Sequence, residues 1–316
     1  MSNKTHTVLS SCAAVVIASG AVGCAVVDLS DQAYDDGSGF EEKSLTDTVW
    51  PISGSATPQS ADDITDSWGP RLLSGNYDFH RGIDIAKPTG TNIYAARDGQ
   101  IVRMEYPAAG TSLQRFGRFM VIAHDDIGGV KNQTAYLHMS AYADGLEEGD
   151  YVEAGDKIGE VGNTGVGINT EHLHFEYYEN INSGGIVKSK ARSPMKILQP
   201  ASGSVVPTVT VTKTSTEIAV EIEQEDDKIV VGRIVISPVG ASADRTIDLQ
   251  TGEGLATDWD DPTENDVTID PDNFNTSSSS QVITYRYAGS WSSLGACDVE
   301  IYDVSGTLLY DQTTTF

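Results

Sequence analysis

The chain has 316 residues, room for two domains, and an ordinary apolar content of 39%. Its 46 acidic residues outnumber 20 basic ones, for a formal net charge of −26. That balance excludes nucleic acid as a partner, because a polyanion is bound through clustered lysine and arginine.

Lys4 carries the only formal side-chain charge before Asp28, and Ala13 to Val27 is apolar or small. Such a segment is too short for a comfortable membrane span and suits a signal peptide. It ends in Ala21-Val-Gly-Cys24, which resembles a bacterial lipobox with alanine where leucine is usual. The expectation is a lipoprotein-type signal over 1–23, a lipid on Cys24 that attaches the protein to a membrane, and an acidic linker over 24–47. Ala25 follows the cysteine, not the aspartate that commonly retains lipoproteins at an inner membrane. The expected place is therefore the outer membrane of a bacterial envelope, facing the periplasm; a secreted protein is the alternative. With Cys12 removed and Cys24 acylated, Cys297 stands alone and no intrachain disulfide is expected.

From Val49 to about Pro200 the sequence alternates short β-type runs with glycine turns. Examples are Gln100-Ile-Val-Arg-Met and Arg118-Phe-Met-Val-Ile-Ala, punctuated by Asp98-Gly99, Gly128-Gly129 and Asn163-Thr-Gly165. No long stretch has helical periodicity, so 48–196 is read as a mainly antiparallel β domain. After Ala201 apolar and polar residues alternate in short, evenly spaced runs separated by acidic and Ser/Thr-rich loops. That pattern predicts an accessory β-sandwich over 201–316. It holds 20 acidic residues against 5 basic ones and no histidine.

Five of the six histidines fall between His80 and His174. On a strand, residues two apart project to one face, so His172 and His174 point together. His80 and Asp84 are four apart, an even spacing that again gives one face if they share a strand. Imidazole nitrogen and carboxylate oxygen both suit zinc, and three protein donors leave a position open, as in catalytic sites. The surplus imidazoles can serve as general base or acid. His124, after Val121-Ile-Ala, is read as structural.

These residues sit in a longer ordered series. Gly69-Pro-Arg71, Phe79-His-Arg-Gly-Ile-Asp-Ile85, Val121-Ile-Ala-His124 and Tyr136-Leu-His138-Met-Ser140 come first. Gly149-Asp-Tyr-Val152, Gly155-Asp-Lys-Ile-Gly159, Val161-Gly-Asn-Thr-Gly165 and His172-Leu-His-Phe-Glu176 follow. The series resembles the lysostaphin/LytM-type zinc endopeptidases, a family of peptidoglycan hydrolases, over about residues 48–185. The resemblance implies an antiparallel β-sheet with a groove, and one zinc ion per chain held by His80, Asp84 and His174. It also implies catalytic roles for His138 and His172, and hydrolysis of peptidoglycan stem peptides or cross-links. Glycine bridges and D-Ala–meso-diaminopimelate bonds are both substrates in that family, and an envelope lipoprotein favours the second. Some members have lost their zinc-binding residues and act instead as regulators or scaffolds of cell-wall amidases, which is the competing reading. The C-terminal sandwich lies outside the resemblance and would bind a cell-wall or protein ligand.

Overall fold

The computed structural model describes residues 48–54, 64–127, 130–198, 206–224, 231–241, 244–251, 263–264, 267–271 and 281–316. Cys24, the expected signal over 1–23 and the linker over 24–47 lie outside them.

Alternation of apolar and polar residues sets which face of each strand meets the core. In Gly82–Ala86, Ile83 and Ile85 are fully buried while Asp84 points the other way. In His172–Glu179, Leu173, Phe175 and Tyr177 pack on the same side as those isoleucines, which leaves His172, His174 and Glu176 on the side of Asp84. These two strands lie second and third from one edge of an eight-stranded antiparallel sheet. Its order is Ile64–Asp66, Gly82–Ala86, His172–Glu179, Val130–Met139, Arg118–Ile127, Gly99–Glu105 and Tyr151–Val152, with the short Ala191–Arg192 also paired to His172–Glu179. A three-stranded sheet of Asn92–Tyr94, Lys157–Glu160 and Ala141–Tyr142 and a hairpin of Gly69–Leu73 with Asn76–His80 complete the N-terminal part. Among the described residues the only helical elements are short 3-10 turns, and every strand pairing is antiparallel.

On either side of residues 128–129, Ile127 lies opposite Val130 and His124 opposite Asn132, with a shift of register between the two pairs. Gly82 is required by close approach. A Cβ there would stand 2.5 Å from the carbonyl oxygen of Phe175 and 2.8 Å from His174 Nε2.

After residue 206 the strands form two further antiparallel sheets. One is ordered Thr208–Lys213, Glu217–Gln224, Gln281–Ala288, Val267–Pro271 and Thr263–Glu264; the other Arg245–Asp248, Val231–Pro238, Ala296–Asp303 and Leu308–Thr315. Ile218, Val220 and Ile222 of the first and Ile234, Ile236, Val299 and Ile301 of the second are buried at alternate positions, as packed sheets require. The same apolar cluster continues into the N-terminal part as far as Trp50. Strand Val267–Pro271 touches Gly69–Leu73, and the Ser193 N–H donates to Gln250 Oε1 at 3.1 Å in a buried seam. Cys297 is a free, buried thiol.

Candidate metal centre

Cross-strand register builds the site. His174 is the direct partner of Asp84, so their side chains stand together on one face, and His174 Nδ1 lies 2.7 Å from Asp84 Oδ1. His172, two residues earlier on that face, brings Nε2 to 3.7 Å from the same oxygen. His80 arrives differently from the single-strand expectation. It ends the hairpin strand Asn76–His80, and the chain breaks at Arg81 before Asp84 enters the main sheet. Proximity comes from two strands meeting, with His80 Nε2 at 3.1 Å from His174 Nδ1 and 3.4 Å from Asp84 Oδ1.

His138 also reaches the site by breaking the alternation. The register places Leu137 opposite His174, so a regular strand would send His138 to the other face. Instead His138 has φ 65°, a left-handed backbone uncommon outside glycine, and its ring comes to 4.8 Å from that of His172 and 5.8 Å from that of His174. The loop after Val161 wraps it: His138 Nδ1–H donates to Thr164 O at 3.1 Å, and Thr164 Oγ1 donates to Met139 O at 2.8 Å. Gly117, with φ 62°, lies so close to Thr164 that no side chain fits there.

The outward nitrogens are all tied. His80 Nδ1 is 2.8 Å from Ser67 O, and His172 Nδ1 is 3.0 Å from Thr170 O. A carbonyl oxygen only accepts, so these nitrogens, like Nδ1 of His138, carry the hydrogen and leave Nε2 with a lone pair facing inward. His174 is turned round: its Nε2–H donates to Glu176 Oε1 at 3.1 Å, and Tyr178 OH holds the other oxygen of Glu176 at 2.5 Å. Nδ1 of His174 therefore faces His80 and Asp84.

Charge follows from this placement. Burial raises the Asp84 carboxyl, but His80 and His174 outweigh it and hold the group well below the usual carboxylate range. Burial lowers His174, yet Asp84 and Glu176 on either side raise it to about 10. The cage thus stabilises positive charge between two carboxylates, and a cation bound at Nδ1 takes the place of that proton. Burial, reinforced by the positive charge of His174, lowers His138 to about 3; burial likewise lowers His172. Both rings are neutral near pH 7 and able to accept a proton.

A metal fits the donor set. His80, Asp84 and His174 each offer one atom, all within 4.8 Å of one another. Donors about 2.0–2.2 Å from one zinc in tetrahedral array lie roughly 3.3 Å apart, close to the three separations observed. Asp66, Asp78, Asp84 and Glu176 outnumber Arg71, an excess of negative charge that a divalent cation offsets.

Glu176, Arg71 and Thr164 bear on the site and were not assigned roles from sequence. Glu176 continues the face of His172 and His174 two residues on, a period-2 signal that was present. Thr164 acts partly through its main chain, for which sequence carries no signal.

His124 stands apart, buried between Asp98 O at 2.8 Å and Thr134 Oγ1 at 2.9 Å. Burial chiefly lowers it to about 4. The unfolded chain, with histidine near pH 6.5, then binds the proton first as the pH falls. Its contribution to stability is complete above about pH 6.5 and is lost as the pH falls toward 4, by about 3 kcal/mol at most. Denaturant unfolding followed between pH 7 and 4 should show that slope, and His124→Gln should flatten it; equal slopes in both proteins would refute the assignment.

Comparison with known proteins agrees with this geometry. Residues 78–194 match Peptidase family M23. The peptidoglycan DD-endopeptidase ShyA of Vibrio cholerae is 31% identical over 160 residues, 50% of this chain and 30% of ShyA. Lysostaphin of Staphylococcus staphylolyticus is 36% identical over 146 residues, 45% of this chain and 27% of lysostaphin. The murein hydrolase activator NlpD of Salmonella dublin is 33% identical over 133 residues, 42% of this chain and 30% of NlpD. The chain thus spans about a third or less of the length of these curated relatives. Through residues 78–194, in which His80, His138, His172 and His174 gather around Asp84, the chain carries a domain of peptidase family M23, the lysostaphin/LytM-type family.

Proposed function

We propose that the protein is a zinc-dependent endopeptidase that hydrolyses peptide bonds in peptidoglycan stem peptides or cross-links, of the D-Ala–meso-diaminopimelate type. The observation that carries this reading is the pairing of two neutral imidazoles, His138 and His172, with the donor set of His80, Asp84 and His174. One zinc ion held by those three residues would act as a Lewis acid on the scissile carbonyl and supply hydroxide at neutral pH.

The chain's own groups manage the protons. An imidazole with a free Nε2 accepts a proton as water attacks the carbonyl carbon. Protonated, it returns that proton to the nitrogen as the C–N bond breaks. Two such rings allow acceptance and return at different points along the peptide. Their Nδ1–H bonds to main-chain carbonyls fix the ring planes, so little reorientation is needed during the reaction. Residues 48–196 carry this chemistry; the sandwich over 201–316 is an accessory unit that binds a cell-wall or protein ligand, since no site histidine lies in it.

Purified sacculi digested with the recombinant protein test the reading. Mass spectrometry should show cross-linked muropeptides converted to uncross-linked products, each event adding one water. NlpD, an activator by name, favours a second reading in which the domain regulates a cell-wall amidase. Unchanged muropeptides, with faster release of stem peptides only when an amidase is added, would support that reading and sink the first.

The proposed placement is the bacterial envelope, through a lipid on Cys24 in an outer membrane. Incorporation of labelled palmitate, lost in Cys24→Ser, is expected. A mature N-terminus elsewhere, with no label, would make the protein a secreted hydrolase.

A further inference from the structure

Asp66 and Asp84 are direct cross-strand partners on the edge pair Ile64–Asp66 and Gly82–Ala86. Like charges so placed repel, and the pair needs a cation between them. Arg71 supplies it. Its Nη1 bonds Asp66 Oδ2 and stands 3.9 Å from Asp84 Oδ2. Its Nε donates to Asp78 Oδ2 at 2.7 Å, and Asp78 is the residue opposite Arg71 in the hairpin. The guanidinium is thereby held from its own hairpin and reaches across to the main sheet. Its side chain is 13% exposed, so the interactions act with little screening by water. Asp66 completes the set from the far side, with Oδ1 at 3.8 Å from His80 Nδ1.

The two oxygens of Asp84 therefore have different partners. Oδ1 faces His174 and His80, while Oδ2 faces Arg71. The geometry points to Arg71 as a positioning residue that fixes the Asp84 carboxylate so that Oδ1 alone is presented to a bound metal. This inference rests on the reading of His80, Asp84 and His174 as the metal-binding group. A freed carboxylate could turn both oxygens inward and occupy the position that a catalytic site keeps open. The planar fork of arginine matters here: it spans Asp78 and Asp66 at once, which the point charge of a lysine cannot do.

Full-length mature protein loaded with Co²⁺ gives a readout independent of turnover, because d–d absorption intensity falls as coordination rises above four. Arg71→Gln should stay folded, lose d–d intensity, and lose about 10–100-fold in zinc affinity, turnover or both. Zinc affinity is read by competition with a chelator, and turnover by release of muropeptides from sacculi. Arg71→Lys should recover only part of the loss. Should Arg71→Gln fail to fold, Asp78→Asn loosens the guanidinium while keeping its charge and should shift the cobalt spectrum in the same direction. Unchanged cobalt spectra in the folded variants would overturn the inference, whether turnover fell, which would place Arg71 on the substrate, or held. Wild-type protein that takes up neither zinc nor cobalt would instead defeat the metal reading itself, and this inference with it.

Discussion

His174→Ala is expected to abolish stoichiometric zinc and, with it, all peptide hydrolysis. Of the three proposed donors, His174 is the one whose loss disturbs most. Its Nδ1 lies within 3.1 Å of both other donor atoms, and its Nε2 anchors Glu176. Alanine there would leave Asp84 and Glu176 facing a void without the imidazole that separates them. Two half-buried or buried carboxylates without that partner are costly, on the order of a few kcal/mol, unless one takes up a proton. The variant should therefore melt at a lower temperature even when wild-type protein is compared after chelation. Elemental analysis of the purified variant decides the matter: one zinc per chain in His174→Ala would show that the metal is held elsewhere.

The second large effect is at His138, where the replacement must be chosen with care. Because φ is 65°, alanine would add backbone strain to the loss of the imidazole, whereas asparagine tolerates left-handed geometry. His138→Asn should keep its fold and its zinc and lose about 10²–10⁴-fold in turnover, the usual contribution of a general acid or base. Zinc content and muropeptide release measured on one preparation separate the outcomes. Zinc lost together with activity would make His138 a metal-binding residue. Unaltered turnover would remove it from the chemistry.

Period-2 patterning makes some of this arrangement legible in sequence. Leu173 and Phe175 against His172 and His174 read correctly as two faces of one strand, and so did the mainly β, antiparallel character of the chain. The facing of His174 and Asp84 depends on the register between strands 90 residues apart, which local sequence does not encode. For His80 the even spacing to Asp84 suggested one strand, and the change of sheet at Arg81 escaped the pattern because the adjacent Gly82 is itself the first residue of the next strand, held there by its close approach to Phe175 and His174. The same holds for His138, whose left-handed backbone reverses the face that alternation would assign. Arg71 lies beyond any local rule, since its partners come from a hairpin and two strands of another sheet.

Three of the four site imidazoles are oriented by Ser67, Thr164 and Thr170 through their carbonyl oxygens. A carbonyl is present whatever the side chain, so Ser67 can be replaced without releasing its ring, whereas Thr170 adds its hydroxyl at 3.4 Å from His172 Nδ1. Thr164 is less free, because its hydroxyl also receives the Arg118 N–H at 2.9 Å. At His174 the orienting group is the side chain of Glu176, and there drift is blocked. Mutational tolerance around the centre is thus set by which anchors are made of backbone, and nearness to the histidines is a poor guide to it.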